Sequence, residues 1–306
     1  MRCERKAGKV QAGTVWQQTD FSARMGKGVG LTPRSTLIAQ LGSVGALDDA
    51  EIDLAETALL LAAVDHPDTD LDSYRRHLRD VAEAARTATS RAAGVDLQLA
   101  ALRDVLVAER RYQGDADTYD DMDNANLIRV IDRRRGLPVA LGILYLHAGR
   151  AFGADIVGLN FPSHFLVRLA SRGQRVIIDP FHEARALAPE DLRQRLKELR
   201  GGDAEIEPDH YAPISNRDVL LRLQNNIKLR AVAAGEVARA LDILETMRAI
   251  SPGRSDLWWE TAVLQSRLGH LTTAISTLQD FLSDFDGAPG QDEIEDLLRR
   301  LRARVN

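Results

Sequence analysis

A histidine and an aspartate stand where two short β-type runs would bring them together. Ser163-His164-Phe165-Leu166-Val167-Arg168 is followed, across Gly173, by Val176-Ile177-Ile178-Asp179-Pro180-Phe181. Neighbouring antiparallel strands place such residues within hydrogen-bond range when the register allows. A carboxylate behind an imidazole fixes its tautomer and raises its basicity, the arrangement used to activate a nucleophile. That nucleophile is best placed at a helix N-terminus, where the macrodipole lowers a thiol pKa. The chain has a single cysteine, Cys3, far from His164 in sequence. Ser163 adjoins the histidine, but successive strand residues point to opposite faces, which argues against direct activation. A water activated by His164 would make a hydrolase without a protein nucleophile. His164, Asp179 and His182 carry metal-ligand chemistry in a turn, but such spacings are common and no metal is expected. The plainest role for the pair is to hold two strands in register.

The elements that must position this pair are legible nearby. Residues 127–135 read as a helix stopped by Gly136, and Pro138 opens another over 138–152. Three runs rich in Val, Ile, Leu and Phe come next at 155–160, 164–169 and 175–179, with a hairpin around Gly173. A helix packed on antiparallel strands is an α+β core. Upstream, Asp48 and Asp49 can start a helix that stops before Pro67, and helical spacing recurs over 72–91 and 96–112. Downstream of Arg217 every segment is helical. Residues 233–241 and 267–275 are similar, with Gly235 and Gly269, Ala240 and Ala274, and Leu244 and Leu278 each 34 residues apart. Thirty-four is the tetratricopeptide period. Trp258 and Trp259 fall in the first helix of the second unit, one expected in the core and the other available to line a binding surface.

Composition narrows the function classes. The 306 residues carry 40 basic and 45 acidic side chains, a net charge of −5 that gives no reason to expect nucleic-acid or membrane partners. One cysteine excludes an intrachain disulfide framework and Cys-based metal clusters. Residues 1–34 hold seven basic and two acidic residues and no apolar run, and read as a flexible leader rather than a secretory signal. The longest apolar runs, 58–64 and 137–146, fall short of the roughly 20 residues that span a bilayer, so a cytoplasmic location is expected. Arg133, Arg134 and Arg135 are surrounded by Asp120, Asp121, Asp123 and Asp132, a solvated mixed-charge surface.

Asp121-x-x-Asn124-x-x-Leu127, Asp132-Arg-Arg-Arg-Gly-Leu-Pro-Val-Ala-Leu141, Leu144-Tyr-Leu146, Gly158-Leu-Asn-Phe-Pro-Ser-His-Phe-Leu-Val-Arg168 and Ile178-Asp-Pro-Phe181 together resemble the SirB-type family of transglutaminase-like proteins. The resemblance implies a papain/transglutaminase-like core, a central helix on a small antiparallel sheet, with C-terminal tetratricopeptide helices. It divides the chain into a leader (1–34), an N-terminal helical region (35–120), the transglutaminase-like core (121–212) and the repeat helices (213–306). Active transglutaminase-like members use Cys, His and Asp. His164 and Asp179 match the last two, while the cysteine position is Pro138, which has no nucleophilic atom. Ser163 and Ala125 depart from the family's usual Gly and Ser. The resemblance therefore implies a vestigial dyad in a non-catalytic protein that acts through protein–protein contacts in a regulatory setting, without a cofactor. The competing expectation is a hydrolase or acyltransferase that uses water or an unrecognised nucleophile oriented by His164 and Asp179.

Overall fold

A computed structural model describes residues 33–305. The leader expected over 1–34, with Cys3, lies outside the described residues except for its last two positions, which begin a helix. This helix, α1 (Pro33–Gly45), has no counterpart in the sequence pattern, because its apolar content is thin. Leu37 and Leu41 are its buried residues, and Arg34 pairs with Asp242 at 3.1 Å and Glu245 at 2.7 Å. A sparse helix of this kind is held by the surface it docks on rather than by its own pattern.

Asp and Asn side chains set the starts of the next helices. Asp48 caps only a single 3-10 turn, Asp49–Glu51. The next helix, α2 (Leu54–Val64), begins later than expected because Asp53 is the better-placed cap, accepting from the amides of Ala55 and Glu56. Nearly every residue of α2 is buried, so this helix runs through the centre of the molecule. Asp70 caps α3 (Leu71–Thr89). The helix α4 (Val95–Arg103) then continues through a wider π-type turn over Asp104–Glu109. Asn126 caps α5 (Leu127–Arg133), which ends where Arg134 adopts φ +59, so the stop precedes Gly136. Two-residue strands β1 (Gln113–Gly114) and β2 (Arg135–Gly136) pair in parallel and lead into α6 (Pro138–Ala151).

The helix α6 packs on a four-stranded antiparallel sheet of order β3 (Asp155–Leu159), β4 (Leu166–Ser171), β5 (Gln174–Asp179) and β6 (Arg185–Leu187). The strand β6 is new relative to the sequence pattern, since three residues carry no readable alternation. On one sheet face Ile156, Val167, Leu169 and Ile178 join α6 in the main core. On the other, Leu159, Leu166 and Leu187 form a smaller core with Leu192 and Leu196 of α7 (Pro189–Arg200). Gly142 lets α6 lie close to the sheet: a Cβ there would collide with the Phe165 ring.

Five more helices occupy the C-terminal third: α8 (Asn216–Ala233), α9 (Val237–Ile250), α10 (Ser255–Arg267), α11 (Leu271–Asp284) and α12 (Gln291–Val305). Gly235 and Gly269 turn the chain at φ +77 and +79, and the buried Ala240 and Ala274 repeat the same position in α9 and α11. The main core extends through α8 and α9, while α10, α11 and α12 surround a second cluster that includes Leu278, Phe281 and Leu298. No helix among the described residues is long and apolar enough to cross a membrane.

A half-buried polar knot ties α3 to the end of α5. Arg134 Nη1 donates to the Tyr112 hydroxyl at 2.6 Å and to His77 Nε2 at 2.9 Å, and His77 Nε2 lies 2.7 Å from that hydroxyl. Burial, reinforced by the Arg134 charge, pushes His77 down to about 4, and burial pushes Tyr112 up to about 12. An unfolded histidine takes its proton near 6.5, whereas the folded one resists until about 4. Acid across that interval therefore favours the unfolded chain. Thermal unfolding followed between these two pH values should show the wild-type melting temperature falling more steeply than that of His77→Gln.

Candidate functional site

Asp179 closes β5 and is completely buried. The pairing of Val167 with Ile178 brings the end of β5 level with the start of β4. His164 sits just before β4, in a turn where Ser163 takes φ +56, rather than on the strand as its sequence pattern predicts. From there its Nε2 donates to Asp179 Oδ1 at 2.8 Å. The same oxygen accepts the Phe181 amide at 3.0 Å. Oδ2 accepts from His182 Nδ1 at 2.7 Å and from Arg195 Nη2, carried by α7, at 2.6 Å.

Burial opposes ionisation of this carboxyl, but the hydrogen bonds from His164 and His182 and the Arg195 charge outweigh it and hold the group well below the usual carboxylate range. An ionised carboxylate can only accept, so both imidazole nitrogens facing it carry hydrogen. His164 is thereby fixed with N–H at Nε2, leaving Nδ1 as the nitrogen that could take a proton from a reacting group.

The donor atoms of His164, Asp179 and His182 all lie within 4.8 Å of one another, the donor set of a possible metal site. Arg195 already holds Oδ2, however, and both histidines point their N–H groups at the carboxylate. A cation would have to displace the guanidinium and force both imidazoles into their other tautomer, so this arrangement favours an all-protein ion network.

Pro138 occupies the first turn of α6, where its missing N–H costs nothing. It borders a cleft of about 170 Å³ with Ser163, Phe165, Tyr119, Arg222 and Asn225. The two neighbours of His164 in sequence thus line the same cleft as the proline. Because Ser163 and His164 lie in a turn, the strand-alternation argument that set them on opposite faces does not apply. Arg222 on α8 and Arg195 on α7 carry no signal in the sequence, since both lie outside the motif region. His182 is visible there as the third residue after Asp179.

Trp258 and Trp259 belong to the C-terminal helices. The Trp258 indole N–H donates to the Pro252 carbonyl at 2.7 Å, its ring packs against Phe281 and Phe285, and Arg248 lies 4.5 Å above it. Trp259 is 40% exposed and borders a surface hollow with Asp256, Asp292 and Glu293.

A family model described as the transglutaminase-like superfamily matches residues 72–225, half of the chain. The chain belongs to the transglutaminase-like superfamily. The matched segment begins in α3 and ends in α8, so it takes in the sheet, α6 and the whole Asp179 network. A UPF0162 protein of Xylella fastidiosa is 29% identical over 252 residues, covering 80% of this chain and 89% of that protein. A UPF0162 protein of Vibrio cholerae is 29% identical over 172 residues, covering 56% of this chain and 63% of its own length. The human F-box only protein 21 is 32% identical over 83 residues, 27% of this chain and 13% of that protein.

The Asp179 network has a measurable stability signature. Asp179→Ala would leave three side-chain donors facing a cavity and should cost on the order of 3 kcal/mol in denaturant unfolding, against about 1 kcal/mol for His164→Ala. Because the folded carboxyl titrates below its ordinary 3.8, its contribution is fully present above that value and lost as pH falls beneath it. Acid unfolding monitored by circular dichroism should therefore lose one titrating carboxylate in Asp179→Asn.

Proposed function

We propose that this is a non-catalytic, SirB-type member of the superfamily, which acts through contacts with other proteins in a regulatory setting. The observation that carries this reading is Pro138. The position at which active members are implied to hold a cysteine is the first residue of α6, in the cleft bordered by the neighbours of His164, and it offers no nucleophilic atom. A second observation supports it: both oxygens of Asp179 are saturated by donors from four residues, an arrangement that serves a structural pair.

The C-terminal helices fit the partner-binding part of the proposal. The helices α9 and α11 repeat at the 34-residue tetratricopeptide period with the same glycine turn before each. Arrays of this type present extended surfaces to peptides and proteins. Trp259 is the exposed aromatic on that surface. The mildly acidic charge balance fits a protein whose partners are neither nucleic acid nor anionic membrane.

Two measurements test the reading. The wild type should show no turnover of ester, amide or peptide panels; turnover that disappears in His164→Ala would establish the hydrolase or acyltransferase alternative instead. In a Cys3→Ser background, Pro138→Cys should react with iodoacetamide at neutral pH about tenfold faster than the thiol of an unfolded peptide, because a helix N-terminus lowers thiol pKa. Reaction no faster than that of the unfolded peptide would show that position 138 is not the lost nucleophile.

A further inference from the structure

The sheet face turned away from α6 carries a groove that neither the His164–Asp179 pair nor the cleft at Pro138 uses. Its volume is about 580 Å³, within the several-hundred-Å³ range typical of small-molecule sites. The floor is apolar: Leu159 of β3, Ile177 of β5, Leu187 of β6 and Leu192 of α7 all line it, and Tyr211 and Pro208 close one side. Two cations border this floor, Arg168 half-buried and Arg175 exposed. Arg168 projects from the middle of β4, opposite Ile177, and Arg175 from β5.

Neither arginine has a partner: among the described residues, neither guanidinium takes part in an ion pair, a side-chain hydrogen bond or a ring contact. No Asp or Glu lines the groove. Glu207 and Asp209 flank Pro208 in sequence, but neither reaches the arginines, and the nearby Asp191 is taken by Arg185 at 2.8 Å. Arg168 is half-buried on an interior strand. A guanidinium in such a place is ordinarily matched by a carboxylate, in a bidentate pair with two parallel hydrogen bonds.

We propose that this groove binds a small amphipathic carboxylate, whose anionic head pairs with Arg168 and Arg175 and whose apolar body lies along Leu159, Ile177, Leu187 and Leu192. Charge selects this occupant. The chain's own N-terminal stretch, with seven basic and two acidic residues, would place like charge against the arginines. A neutral apolar molecule would fill the floor and leave Arg168 unmatched. Shape agrees: the floor is walled by α7 on one side and by Pro208–Tyr211 on the other, which suits a compact molecule better than a flat protein surface. The site is independent of the proposed loss of catalysis and stands whether or not the His164–Asp179 pair is active.

Isothermal titration of the full chain with dodecanoate, below its micelle-forming concentration, tests the proposal. One molecule should bind per chain. Arg168→Gln should weaken binding about tenfold or more, the loss expected for a charge-assisted hydrogen bond. Dodecanol should bind at least tenfold more weakly than dodecanoate, and dodecyltrimethylammonium and acetate should not bind. Arg175→Glu, at an exposed position that leaves the fold intact, should abolish dodecanoate binding and serves if Arg168→Gln does not fold. Equal affinity for dodecanoate and dodecanol, or unchanged binding in both arginine variants, would overturn the proposal. So would tighter binding of an acidic-apolar peptide than of dodecanoate, which would make the groove a peptide site.

Discussion

One buried carboxylate organises the middle of this protein. Asp179 has no contact with solvent, and its charge is tolerated because four donors from three separate pieces of chain converge on it. His164 comes from the turn before β4, Phe181 and His182 from the 3-10 turn after β5, and Arg195 from α7. An isolated ion in such a place would cost several kcal/mol. The donors therefore fix two turns that have little regular structure of their own and anchor the helix α7 beside them. The turn at Ser163, the turn at Pro180 and the docking of α7 are set by the same two oxygens.

The second constraint is the closeness of α6 to the sheet. Gly142 removes the side chain that would strike Phe165, and Phe165 in turn fills the space between helix and strand. Because α6 is almost wholly buried, its N-terminus cannot wander, and Pro138 is held beside the residues that flank His164. Packing thus positions the end of the helix, and the Asp179 network positions the histidine. The two devices meet at the cleft.

How much of this is legible in the sequence depends on the range of each interaction. The α5–α6 pair, three of the four main strands and the hairpin at Gly173 are legible, because apolar period and turn residues are local signals. The partnership of His164 with Asp179 is legible because adjacent strands convert a sequence spacing into a distance. Arg195 is not, since a salt bridge from a surface helix leaves no trace in either segment. The helix α1 escapes for the same reason: two buried leucines and an ion pair to α9 are tertiary facts. The helix start near Asp48 is displaced because two aspartates compete as caps, and only the fold decides that Asp53 wins. At Ser163 the assumption of a strand fails because a left-handed residue turns the chain before β4 begins.

On the proposed reading, these constraints explain how a dyad can outlast its nucleophile. A cysteine at the start of α6 has no structural duty there; proline, which pre-sets the first helical turn, serves that position at least as well. His164 and Asp179 are in a different situation. Replacing the aspartate would leave His164, His182 and Arg195 as uncompensated donors around a cavity, at a cost comparable to much of a domain's net stability. On the proposed reading, selection for activity could lapse at position 138 without consequence for the fold, whereas the same lapse at position 179 would unfasten two turns and a helix. The histidine and aspartate then persist for mechanical reasons, and their geometry is no measure of residual chemistry.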